Sequence, residues 1–365
     1  MLTSLKAPIF AALSITKKCN LKCVHCYASG GERDKNELTD DELKNVIKQL
    51  IDMGILNIDF LGGEPFEREN FPELIQMVID AGLRLNVTTN GTLITEDWLD
   101  KYGKNISLLR IALDSPIPEE HDKFRGVPGS WHKTYNSVKS AVDRKINVTL
   151  VTTYHRKNTH QLSDMVSLAA NLGVAGYANT CLFPSGRGKS LEEDVFSVED
   201  MKEFLTEWGN QRKILKEKNI RLKLIDETPI TILLADKSGY ENEYLTFKAN
   251  CANKTPTCRA CTAGLLQVHL TPTGHLIPCG GMEGIKELQT DDNDVRLHSI
   301  EHIWKNSWIF NAMRDRLYTD KPYSINDKCN KCEFLQYCGG GCRAAAYLTH
   351  GNFEKADSFC WYEPK

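Results

Sequence analysis

The stretch IFAALSITKKCNLKCVHCY, residues 9–27, sets the reading of the whole chain. An apolar, β-prone run (9–15) leads directly into three cysteines, Cys19, Cys23 and Cys26, spaced C-x3-C-x2-C. The run reads as a first strand. The cysteines then lie on the loop at its C-terminal end, where barrels of alternating strands and helices build their active sites. Three neighbouring thiolates suit a cubane iron–sulfur cluster in which one iron lacks a protein ligand. Structural zinc sites take four ligands, usually from CxxC pairs, so this uneven set of three suits zinc poorly. The apolar stretch 8–15 lacks the small-residue cleavage site of a secretory segment and is too short to span a bilayer.

Outward from this segment the first half alternates between two textures. Apolar runs recur at 56–61, 83–89, 107–113, 146–153 and 174–182, with amphipathic stretches at 38–54, 70–82, 131–145 and 159–173 between them. Thr39, followed by Asp41 and Glu42, reads as a helix N-cap with an acidic first turn. Gly54, Gly82 and Gly173 sit where helices end in the left-handed conformation. Six strands interleaved with helices predict a parallel sheet of right-handed βαβ units. Two strands are missing for a full eight-unit barrel, so the expected fold is α/β, a partial (βα)6 TIM-like barrel. Residues 196–219 read as a long polar helix and 221–250 as a connector. The expected domains are 1–235, the barrel, and 236–365, a small cysteine-rich domain.

The 365 residues are 41% hydrophobic and 25% charged, with a net charge of -3, the profile of an ordinary globular protein without a basic surface for nucleic acid or anionic membrane. A cytoplasmic location follows as an expectation, with neither nucleic acid nor membrane as partner. Thirteen cysteines, an odd number, suit metal ligation in a reducing compartment better than a disulfide framework. Nine of them fall between 251 and 360, which is why the second domain is drawn there.

The C-x3-C-x2-C loop after strand one, with His25 before its last cysteine, resembles the signature of the radical S-adenosylmethionine (SAM) superfamily. Two later segments fit in order. Gly62-Gly63-Glu64-Pro65 follows the second strand and resembles the motif that contacts the SAM amino group. Thr88-Thr89-Asn90-Gly91 follows the third and resembles another site-facing segment. Alone, each would read as a tight turn after a strand. The resemblance implies that the open iron chelates SAM and that one electron cleaves it to methionine and a 5′-deoxyadenosyl radical, which takes a hydrogen atom from substrate. It also implies cofactor contacts from His25, Asn90 and the GGEP segment. Close relatives often carry a serine on the fourth strand. This chain has Ala112, leaving Asp114 or Ser115 to stand in its place. Arg187, after the sixth strand, is placed to reach the SAM carboxylate or the substrate.

The C-terminal cysteines run Cys261-x12-Gly274-x4-Cys279, Cys329-x2-Cys332-x5-Cys338-x3-Cys342, then Cys360. This pattern resembles the SPASM domain, the auxiliary-cluster module of some radical SAM enzymes. By that resemblance Cys261, Cys279 and Cys342 bind auxiliary cluster I, and Cys329, Cys332, Cys338 and Cys360 bind auxiliary cluster II. Cys258 or Cys251 completes the first, with Cys258 favoured because its CxxC pair with Cys261 can reach one cluster. Cys181 reads as a buried thiol at a strand end. Three [4Fe-4S] clusters and SAM are therefore the expected cofactors, with an electron donor such as flavodoxin or ferredoxin.

Two auxiliary clusters imply net oxidation of the substrate. A ribosomal peptide or protein, crosslinked or dehydrogenated, is the favoured substrate. A tetrapyrrole or other small molecule of a cofactor pathway is the alternative, and the eighteen residues before Cys19 leave no room for a leader-binding domain. A non-catalytic electron carrier would have no use for GGEP or TTNG. No general acid or base stands out: His269, Tyr177 and Glu64 each have an adequate structural role.

Overall fold

The computed structural model describes residues 5–234, 261–318 and 327–363. Its first half alternates as the texture of the sequence predicts. The elements are β1 (Phe10–Ser14), α1 (Asp40–Asp52), β2 (Asn57–Leu61), α2 (Phe71–Asp80), β3 (Arg84–Thr89), α3 (Glu96–Tyr102), β4 (Ile106–Ala112), α4 (Pro118–Arg125), α5 (Ser130–Asp143), β5 (Val148–Tyr154), α6 (Leu162–Leu172), β6 (Gly176–Cys181) and α7 (Val198–Glu217). Thr39 caps α1 in a reciprocal box: its hydroxyl accepts from Glu42 N–H, and the Glu42 carboxylate accepts from Thr39 N–H.

The expected six strands are all present, and three more join them. β7 (Lys223–Asp226) pairs parallel with β6, inside the stretch read as a connector. β8 (Gln267–Leu270) pairs parallel with β1, and β9 (Leu276–Ile277) closes a short antiparallel turn on β8. The sheet order is β7-β6-β5-β4-β3-β2-β1-β8-β9. The fold is α/β, an open TIM-like barrel with a cysteine-rich C-terminal region. The expected boundary at residues 235/236 lies outside the described residues; β7 before it and β8 after it belong to one sheet.

Side chains alternate across each strand. Ile58, Phe60, Leu85, Val87, Leu109 and Ile111 are completely buried under the helices. The opposite face is polar: Asp59, Thr88 and Arg110 line the barrel interior, with Thr88 Oγ1 3.1 Å from Asp59. Arg110 forms an ion pair with Glu227, which follows β7. An apolar outside and a polar inside place the chemistry at the barrel's mouth. Among the described residues no helix is long and apolar enough to cross a membrane.

Candidate active site

The cysteine loop leaves β1 at its C-terminal end and is pinned at both sides by backbone bonds. Cys19 N–H donates to Gly31 O (2.8 Å), and Gly31 N–H to Lys17 O (2.9 Å). Two thiols already accept amides, Cys19 from Leu21 (3.4 Å) and Cys26 from Gly30 (3.3 Å), the N–H···S contacts that tune metal-bound thiolates. Burial pushes the Cys19 thiol up to about 12 and Cys23 upward as well, so only metal coordination would hold them as thiolates near neutral pH. Among the described residues no three His, Cys, Asp or Glu side chains close on a single-ion site. A soft, all-sulfur donor set spread along a loop instead suits a polynuclear group in which each thiol takes its own iron.

GGEP docks onto this loop. Gly63 N–H donates to Thr16 O (2.6 Å) and Glu64 N–H to Lys18 O (2.8 Å). A Cβ on Gly63 would overlap the Lys17 and Lys18 carbonyl oxygens, so the approach requires glycine. Glu64 is completely buried, and its carboxylate accepts from Thr89 Oγ1 (2.7 Å) and Asn90 N–H (2.8 Å), tying GGEP to TTNG. Asn90 reaches on to the cysteine loop, its Nδ2 donating to Asn20 Oδ1 (2.9 Å). The three segments picked out in the sequence thus form one continuous hydrogen-bonded rim.

A second buttress comes from α4. Lys22 N–H donates to Arg125 O (3.1 Å) and Val24 N–H to Phe124 O (3.0 Å). Arg125 lies 3.8 Å from the Cys23 sulfur and pairs with Asp114 at 2.5 Å, both nearly solvent-free. Burial opposes ionisation of Asp114, but the Arg125 guanidinium holds its carboxyl below the usual range. Asp114 also accepts from Thr153 N–H (2.9 Å), while Ser115 Oγ accepts from Ile117 N–H (3.0 Å) at the entry to α4. His25 stacks on Phe124 at 4.0 Å and 12°. Its Nδ1 is shielded and has no hydrogen-bond partner, an orphaned polar atom that a bound cofactor could satisfy. Desolvation lowers His25 to about 3, so it stays neutral. Arg187 does not project into the barrel: it clamps the loop, with Nε donating to Cys23 O (2.8 Å) and Nη1 to Gly30 O (2.5 Å).

The C-terminal thiols form two groups. Burial raises Cys261, Cys279 and Cys342; Cys261 adds to the shift of Cys279, and both add to that of Cys342. Cys329, Cys332, Cys338 and Cys360 line a single small cavity with Leu233, Leu335 and Tyr362. Cys338 and Cys342 are joined by Gly339, Gly340 and Gly341 at φ +65°, +88° and +83°, three consecutive left-handed residues that only glycine adopts readily. Cys251 and Cys258 lie outside the described residues. Cys181 is a buried thiol 3.8 Å from Thr228 Oγ1.

Residues 13–169 match the Radical SAM superfamily. An AdoMet-dependent heme synthase of Methanosarcina barkeri is 29% identical over 366 residues, covering 100% of this chain and 99% of its own length. A second, from Nitratidesulfovibrio vulgaris, is 31% identical over 97% of this chain and 92% of its own length. The chain belongs to the radical SAM superfamily. The PqqA peptide cyclase of Bradyrhizobium diazoefficiens is 27% identical over 98% of this chain and 87% of its own. Among solved structures, Streptococcus suis SuiB bound to S-adenosylmethionine shares the fold at TM-score 0.76 and 16% identity, covering 98% of this chain and 78% of that one. Membership makes this a radical SAM enzyme and implies a SAM-binding [4Fe-4S] cluster.

Several polar residues of the barrel carry no motif of their own. Tyr27, Ser14, His269 and Glu283 meet at the barrel mouth: Glu283 Oε2 accepts from Ser14 Oγ (2.8 Å) and lies 2.7 Å from His269 Nε2. Tyr177 bonds Tyr154 (2.6 Å) and packs on Trp208 of α7, so it faces the outer helices. Glu64 offers a pH test. Burial raises its carboxyl from 4.5 to about 7. The folded chain therefore keeps a proton that the unfolded chain loses between those values, and stability falls as pH rises through that window. The loss is on the order of 3 kcal/mol at most. In the metal-free protein Glu64→Gln is expected to flatten the urea-midpoint profile between pH 4.5 and 7; an unaltered slope would show that Glu64 is charged throughout.

Proposed function

We propose that this chain is an oxidising radical SAM enzyme with three [4Fe-4S] clusters, acting on a carboxylate-bearing tetrapyrrole. Loaded with its cluster, the Cys19/Cys23/Cys26 site would supply one electron to SAM and release a 5′-deoxyadenosyl radical. GGEP, TTNG and the neutral His25 would bind and orient SAM at the rim, and the loops after β1 to β3 would shield it from water. A two-electron oxidation gives up a hydrogen atom and an electron. Cys261, Cys279, Cys342 and the cavity formed by Cys329, Cys332, Cys338 and Cys360 would hold the clusters that accept that electron. A donor of flavodoxin or ferredoxin type would replenish the SAM site, in the cytoplasm.

The observation that carries the substrate reading is the end-to-end similarity to two heme synthases. A cavity beside Tyr27 supports it: its lining carries Lys17, Lys189 and Lys286 against Asp34 and Glu283, and Lys17 lies 3.9 Å from Asp34, leaving Lys189 and Lys286 as the cationic donors for peripheral carboxylates. The peptide reading keeps a claim through the peptide cyclase at 27% identity. The test supplies reduced, reconstituted protein with SAM and either an iron porphyrin bearing propionates or candidate peptides. A new porphyrin mass with matching 5′-deoxyadenosine is expected; turnover of a peptide alone would reverse the assignment. Iron and sulfide are expected at about twelve each per chain, four per cubane, and a value near four would remove the auxiliary sites.

A further inference from the structure

We propose that Arg343 is a positioning residue for electron exit: its buried guanidinium, bonded to the glycine link that joins Cys338 to Cys342, raises the reduction potential of the clusters that the two C-terminal thiol groups would hold. The inference rests on the auxiliary-cluster reading above.

Arg343 is 1% exposed, one of the largest fully buried side chains in the molecule. Nothing in its sequence position demands this, since it opens a short helix (Arg343–His350) directly after Cys342. Its guanidinium is held by backbone carbonyls from two segments. It donates to Gly341 O (3.2 Å) and Gly340 O in the triple-glycine link, and to Phe353 O (2.5 Å) and Lys355 O (2.8 Å) beyond the helix. Thiols on both sides sense its charge: Cys261 of the first group, and Cys329 and Cys338 of the second. Arg343 therefore sits at the partition between the groups, on the covalent link that joins Cys338 to Cys342.

A guanidinium stays charged at any physiological pH, and burying one is costly unless it is used. Clusters ligated by thiolates carry net negative charge, and reduction adds another unit. A fixed cation in a low-dielectric surround favours the more negative, reduced state, and so raises the potential. An electron leaving the substrate would thus find acceptors already biased toward taking it. Asp357 braces the same link: it is 3% exposed and accepts from Cys342 N–H (2.6 Å) and Phe359 N–H (3.0 Å), and burial raises its carboxyl.

The test is an EPR-monitored redox titration of the reconstituted full chain, with iron counted for every sample. Arg343→Met with full iron is expected to lower the auxiliary potentials enough to change the oxidised-to-reduced ratio at least tenfold, about 59 mV for one electron. The SAM-site cluster should not move. Arg343→Lys, which keeps the charge without the fork, should stay near wild type. Unchanged auxiliary potentials in a fully loaded Arg343→Met protein overturn the proposal. If that variant loses iron, Arg343→Gln, which keeps donors for the glycine carbonyls without the charge, decides: it must lower the auxiliary potentials, and unchanged potentials overturn the proposal. Wild-type iron near four would refute the auxiliary clusters themselves, an outcome the iron count separates from any failure of Arg343.

Discussion

Alanine in place of Cys19, Cys23 or Cys26 is expected to reduce SAM cleavage to the background of the cluster-free protein. The loop has no spare ligand: the remaining described cysteines lie at Cys181 and beyond, and Cys181 is buried beside Thr228. Loss of a hydrogen-bonding partner behind a metal ligand typically costs about 10–100-fold in affinity or activity, so loss of a ligand itself should exceed that. The measurement is 5′-deoxyadenosine released under dithionite, beside iron content. The expected deficit is one cubane, with the C-terminal iron retained. Cleavage surviving in any of the three variants would displace these cysteines from the radical-generating role.

The second large effect is expected at a residue with no family motif. Arg125→Met breaks the ion pair with Asp114 and leaves a buried carboxylate without its cation. Removing one partner of a buried pair costs about 3–5 kcal/mol. Two consequences should appear together: a lower urea midpoint, and a less tightly held cluster, since the Arg125 guanidinium also faces the Cys23 sulfur. The double variant Arg125→Met, Asp114→Asn should recover much of the stability, because both charges then leave the interior while the amide oxygen still accepts from Thr153 N–H. It should not recover cluster retention if the contact to Cys23 matters. Equal retention by wild type and single variant would confine Arg125 to a purely structural task.

The contrast between these two sites shows what the sequence could disclose. Cys19, Cys23 and Cys26 are neighbours along the chain, so spacing alone exposed them. Arg125 meets Cys23 across 102 positions, and Arg187 meets it across 164. No local pattern records such meetings. β1 to β6 were legible because each buries an apolar face under helices. β7 was not: it has four residues, two of them charged, and Asp226 is held by Arg212 on α7 and Asn179 on β6, partners that no local pattern records. α4 escaped for a related reason, since PEEHDKFR has no apolar stripe and earns its place through Asp114 and the cysteine loop. Glu64 was recognised by motif, but its partners Thr89 and Asn90 come from the next strand end, so its carboxylate has a structural task that spacing could not reveal.

The pairing of β8 with β1 has a mechanical meaning. The strand that delivers the cysteine loop and the strand that leads to Cys279 are neighbours in one ladder, with Ala12 opposite His269 and Leu13 opposite Leu270. On the proposed function, backbone hydrogen bonds, not a tether, would therefore set the separation between the cysteine loop that would hold the radical source and the Cys279 group that would hold an electron acceptor. Tunnelling rates fall steeply with distance, and a span fixed by a sheet does not breathe as a hinged pair of domains would. Whatever opens to admit substrate in this molecule, it cannot be that seam.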